Sequence, residues 1–131
     1  MKLHYTKGKW DVTQNNTVYT ISNGKDNRVI EIAKIIPNPQ KPEDVKGNKN
    51  IIINAPEGIK VELESYLHLQ IESLRDNSFA IKVDSVKAKL RNHISKVFEI
   101  NPETLQKEIE KAAYEIKKRE KSSSDVIKKF I

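Results

Sequence analysis

The stretch NAPEGIKVELESYLHLQIESL, residues 54–74, decides how this chain folds, because two periodicities compete within it. Asn54 followed three residues later by Glu57 has the form of a capping box, which opens a helix. From Ile59 onward the odd positions read Ile59, Val61, Leu63, Ser65, Leu67, Leu69, Ile71 and Ser73. The even positions read Lys60, Glu62, Glu64, Tyr66, His68, Gln70 and Glu72. Alternation of this length marks a half-buried strand. Phe79, Ile81 and Val83 continue it after Asp76-Asn77-Ser78. A loop of that size sets Ile71 opposite Val83 and keeps the odd residues on one face. The alternation therefore predicts strands through residue 83.

Upstream, Trp10–Val12 and Thr17–Ser22 are short β-like runs around a Gln14-Asn15-Asn16 turn. Asn23-Gly24 and Asp26-Asn27 mark the next reversal. Val29–Ile36 is apolar on both faces, as a central strand is. Pro37, Pro39 and Pro42 break regular structure, so residues 37–50 read as a surface loop or a mobile flap. Ile51–Ile53 resumes a strand.

Downstream, Val86, Leu90, Ile94, Val97 and Phe98 share one helical face. Lys89, His93 and Lys96 form a stripe beside it, and Lys87 and Arg91 form another on its far side. Asn101 suits an N-cap, Pro102 the first helical position and Glu103 the positive end of the helix dipole. A second helix follows with Leu105, Ile109, Ala112, Ala113 and Ile116, whose small residues permit close approach of another element. At the end, Ser124 has the form of a cap for a greasy segment containing Val126, Ile127, Phe130 and Ile131. The expected fold is α+β: an N-terminal antiparallel sheet of about six strands, then two C-terminal amphipathic helices covering its apolar face. One domain is expected over residues 1–131, mainly β in 1–85 and helical in 86–131.

Composition narrows the function by exclusion. The chain has no cysteine, which removes disulfides, thiol catalysis and zinc–thiolate sites. No apolar run approaches the ~20 residues of a membrane span. Met1–Tyr5 lacks an apolar signal region, so a cytoplasmic protein is expected. The net charge is +6, and residues 86–101 hold four Lys/Arg against one acid. Excess positive charge gathered on helices points to an anionic partner: a nucleotide, a nucleic acid or an acidic protein face.

Motifs for chemistry are missing. His4, His68 and His93 have no ligand spacing for a metal, and no glycine-rich phosphate loop or nucleophile elbow is present. Catalytic residues and cofactors are therefore not expected. The candidate ligand-binding residues are Trp10, Arg28, Lys89, Arg91, Asn92, His93 and Lys96. Trp10 offers a stacking surface or a core anchor. Arg28 follows a tight turn and could fork onto a phosphate. Asn92 is an unforced choice in a helix, either bonding a ligand edge or simply exposed.

His4-Tyr5-Thr6-Lys7-Gly8-Lys9-Trp10 resembles the H-T-P-G-P-W opening of a group of small phage and prophage proteins. Asn48–Glu57, ending Asn54-Ala55-Pro56-Glu57, resembles their N-A-x-L-I-A-A-A-P-E motif. Val18–Gly24 and Arg28–Ala33 are similar to the strands between the two motifs. The resemblance covers residues 4–57; lysines stand where prolines are usual, and Gly58-Ile59-Lys60-Val61 departs from a Leu/Ala-rich continuation. It implies a mobile-element setting, in which small accessory proteins often inhibit host defence or redirect host enzymes. The expectation is a non-enzymatic, oligomeric anti-defence protein that sequesters an anionic ligand such as a nucleotide second messenger. Two alternatives stand beside it: a nucleic-acid binder using helix 86–99, and a protein-directed inhibitor of a host enzyme.

Overall fold

A computed structural model describes residues 3–22, 27–119 and 125–127. The Asn23-Gly24 turn, the Ser124 cap and the Phe130-Ile131 terminus lie outside these described residues. The chain packs as two compact units: Tyr5–Gly58, and Met1–His4 with Ile59–Ile131. The described elements are three strands, β1 (Asp11–Val12), β2 (Thr17–Ile21) and β3 (Val29–Lys34), and three helices, α1 (Asp44–Arg75), α2 (Asn77–Phe98) and α3 (Pro102–Arg119).

In the first unit the strands form an antiparallel sheet in the order β1-β2-β3. The β1–β2 turn is closed by side chains chosen for turns: Asn16 takes a positive φ of 63°, and the Thr17 N–H donates to Thr13 Oγ1 at 3.2 Å. Val18 pairs with Ala33 but Tyr19 pairs with Glu31, so Ile32 is the extra residue of a bulge. β3 is an edge strand, not the central one its sequence suggests, and Val29, Ile30 and Ala33 are exposed. Gly8 has a φ of +105°, and a Cβ there would stand 2.7 Å from Thr20 Oγ1. That hydroxyl is buried and donates to the Lys9 carbonyl at 2.9 Å. Gly8→Ala is therefore expected to destabilise the unit by about 1–3 kcal/mol, through backbone strain and the displaced hydroxyl. A urea midpoint equal to the parent's would contradict this.

The helices overturn the expected six-stranded sheet, because residues 51–53 of the first unit and residues 59–73 and 79–83 of the second are all helical. The reason is visible in what α1 buries. Leu63, Tyr66, Leu67, Gln70 and Ile71 are all buried, at helical spacing i, i+3, i+4, i+7, i+8. Leu63, Leu67 and Ile71 are odd-numbered and four apart, so they satisfy a two-residue and a 3.6-residue period alike. Tyr66 and Gln70 complete the helical stripe, and the glutamates, leucines and glutamine between are good helix formers. Asp76 then caps α2 by accepting the Ser78 N–H at 2.9 Å. In the resulting helix Ile81 is exposed rather than paired across a sheet.

The first half of α1 forms against its local preferences. Gly47, three consecutive isoleucines, Pro56 and Gly58 all lower helix propensity, and Pro56 lacks the N–H that a helix interior uses. A Cβ at Gly58 would meet nothing within 4 Å. Gly58→Ala is expected to raise stability by about 0.5–1 kcal/mol, read as a higher melting temperature with more helical circular dichroism. An unchanged or lower melting temperature would contradict helix at that position.

α2 ends at Glu99, which takes a left-handed φ of 53°; its N–H and that of Ile100 both reach the Ser95 carbonyl. Asn101 caps α3 by accepting the Glu103 N–H at 2.8 Å. The core of this unit joins Leu63, Tyr66, Leu67 and Ile71 of α1 with Leu105, Ile109, Ala112, Ala113 and Ile116 of α3, and Val126 and Ile127 are also buried. α2 supplies only Ile94 to the buried apolar set. Its expected core stripe is partly outside: Val86 and Val97 are 47% and 49% exposed, and the buried polar residues on this helix are Lys87 and Ser95.

Candidate anion-binding surface on α2

A 22-residue helix carries its lysines at positions set by the 3.6-residue turn. Lys82, Lys89 and Lys96 are spaced by seven, close to two turns, so they fall in one line with a rise of about 10 Å between neighbours. All three are exposed, and none has an ion pair among the described residues. Between Asp84 and the C-cap Glu99, α2 carries no acid. Asn92 is exposed on the same outer side. His93 adjoins the lysine row, and Glu62 of α1 engages its Nδ1 at 2.7 Å. Lys82 was not among the residues singled out from sequence. The signal for it was the seven-residue spacing, which a strand over 79–83 conceals.

Arg91 faces elsewhere. Two residues along a helix turn a side chain by about 200°, so Arg91 and Lys89 point apart. Arg91 is half-buried and donates from Nη1 to Gln106 Oε1 on α3 at 3.1 Å. The Gln106 amide nitrogen donates onward to Glu110 at 2.8 Å and to Gln70 of α1 at 3.3 Å. Beside this network Lys87 is buried, and burial lowers its pKa, opposed by the charges of Asp84 and Glu110. Burial likewise raises the pKa of Tyr66, with the Arg91 charge acting the other way. An open hollow of about 390 Å³ adjoins Arg91, bounded by Pro102, Glu103, Gln106, Lys107 and Glu110. Two cations and two carboxylates give it no net sign, so it shows no preference for an anion.

Trp10 and Arg28 belong to the Tyr5–Gly58 unit. The Trp10 indole is half-buried and donates to the Thr6 carbonyl at 2.9 Å, the partner a structural indole requires. Arg28 is exposed beside the Ser22 hydroxyl, which accepts its backbone N–H at 3.1 Å. Of the seven candidates, the helix brings Lys89, Asn92, His93 and Lys96 to its outer side and turns Arg91 inward.

The Glu62–His93 pair has the form of a base and its orienting acid. No nucleophile bonds the ring among the described residues. No group of three or more His, Cys, Asp or Glu that could hold a metal is found among the described residues, and no described helix is long and apolar enough to cross a membrane. No protein family, curated protein or solved structure matches the chain.

Proposed function

We propose that this chain is a non-catalytic binding protein that holds an anionic partner along the lysine row of α2. The observation that carries this reading is the line of Lys82, Lys89 and Lys96, exposed and without ion pairs among the described residues; α2 carries no acid around Lys89 and Lys96, and the nearby Glu62 of α1 is held by His93. Unpaired surface cations repel one another weakly and add nothing to folding, whereas each gains on meeting an anion. The spacing supports an extended partner over a single nucleotide. Three charges about 10 Å apart span more than one nucleotide's phosphates. Nucleotide capture would need a ligand bridging neighbouring lysines, with Asn92 and His93 beside it. The phage or prophage setting implied by residues 4–57 fits an accessory protein in the host cytoplasm that occupies a host component by charge rather than by chemistry.

Fluorescence anisotropy with labelled polyglutamate and labelled duplex DNA tests the reading. Binding by the parent, lost in K82Q/K89Q/K96Q and kept in K34Q/K41Q/K46Q, is expected. Lys34, Lys41 and Lys46 are exposed lysines of the other unit, so equal loss in both variants would reduce the effect to net charge and sink the proposal.

A further inference from the structure

Beside the lysine row runs an apolar groove between α1 and α2. Val61, Ser65, His68 and Leu69 of α1 and Val86 and Leu90 of α2 line it, with Glu64 at the α1 rim. It is an open trough of about 730 Å³. Val61 and Val86 are 54% and 47% exposed, and Val97 extends the same stripe of α2. On α1, Val61, Ser65 and His68 are nearly opposite the buried face, where Leu63, Tyr66, Leu67 and Gln70 meet the core. The apolar residues of this hairpin thus exceed what its own core covers.

We propose that the groove docks an amphipathic helix with an acidic flank, contributed by a partner protein. This inference rests on the anionic-partner reading above and names the class of that partner. Three features select it. The groove is a trough between two helices, and an apolar helix stripe fills such a trough by ridge-into-groove packing. Lys82, Lys89 and Lys96 run parallel to it along the α2 rim, so acids at seven-residue spacing on the guest helix meet each in turn. Glu64 on the opposite rim repels a second acidic flank, and Glu62, the acid nearest the lysine row, is held by His93, so the guest turns its acids toward the lysines of α2. A phosphate backbone satisfies the lysines but leaves Val61, Leu69, Val86 and Leu90 in water, so nucleic acid uses only half of the surface.

The test is a titration of the full chain with a labelled synthetic helix carrying leucines at i, i+4 and i+7 and glutamates along one flank. The comparators are the same helix with lysines in place of the glutamates, polyglutamate and duplex DNA. Peptide binding is expected to weaken by about tenfold in V61S/V86S, two exposed positions, because each valine loses the apolar area it would bury. Polyglutamate affinity is expected to stay at the parent value in that variant, while K82Q/K89Q/K96Q weakens both. The lysine-flanked helix is expected not to bind. Equal peptide affinity in V61S/V86S and parent would overturn the inference, as would DNA or polyglutamate binding as tightly as the glutamate helix; in both cases the anionic reading stands and the groove is idle. Concentration-dependent self-association of the parent, abolished by V61S/V86S, would also overturn it by making a second copy the occupant. If no anionic probe binds at all, the inference and the reading beneath it fail together.

Discussion

Replacing Tyr66 by alanine is expected to cost about 3–5 kcal/mol, and replacing it by phenylalanine is expected to cost nothing. Tyr66 is fully buried on α1, among the largest side chains of the helical core. Truncation removes a ring from a close-packed interior, and the backbone of three converging helices relaxes only partly into the space. The hydroxyl is a separate matter. It is buried without a hydrogen-bond partner among the described residues, and the Arg91 charge offsets only part of its desolvation. Phenylalanine removes that burden and keeps the ring, which gives a neutral to mildly stabilising change of up to about 1 kcal/mol. Urea unfolding followed by circular dichroism separates the two variants. A phenylalanine variant as damaged as the alanine one would mean that the hydroxyl, and not the ring, holds this position.

The second large effect is on binding. A duplex that places phosphates on three lysines releases counterions in proportion, so log affinity falls with log salt at a slope of about −2.7 from this row alone. K82Q/K89Q/K96Q is expected to remove most of that slope and to lower affinity at low salt by at least about tenfold. The exposed row makes no ion pair among the described residues, so the variant is expected to unfold at the parent's urea midpoint. A slope that survives neutralisation would place the contacts elsewhere, and the other clustered cations are those at the end of α3, Lys117, Lys118 and Arg119.

How far the sequence discloses this molecule depends on whether a signal is local. The Asn101 cap, the Pro102 start and the Ala112-Ala113 approach are each readable from a few neighbours, and the strands around Gln14-Asn15-Asn16 are too. Residues 59–73 are different, because Leu63, Leu67 and Ile71 fit two periods at once. Only the even-numbered Tyr66 and Gln70 separate them, and both carry polar atoms that an alternating pattern assigns to solvent. Reading Asp76 with Ser78 as a cap would have tipped the balance toward helix, since the Asp side chain accepts the Ser78 N–H. Once α2 begins at Asn77 instead of near Val86, Lys82 joins Lys89 and Lys96, and the surface becomes a row rather than a cluster. The sequence places Arg91 with Lys87 on the far side of the apolar face and still counts it among the ligand-binding candidates. Helical geometry sends it to Gln106 instead.

The most direct measurement is the acetylation rate of each lysine, read by mass spectrometry, with and without saturating polyglutamate. It needs no substitution, and each side chain reports for itself. Slower acetylation of Lys82, Lys89 and Lys96 is expected, with Lys34, Lys41, Lys46 and Lys111 reacting at their free rates. Unchanged rates along α2 together with slowed acetylation at any of those other lysines would contradict the account.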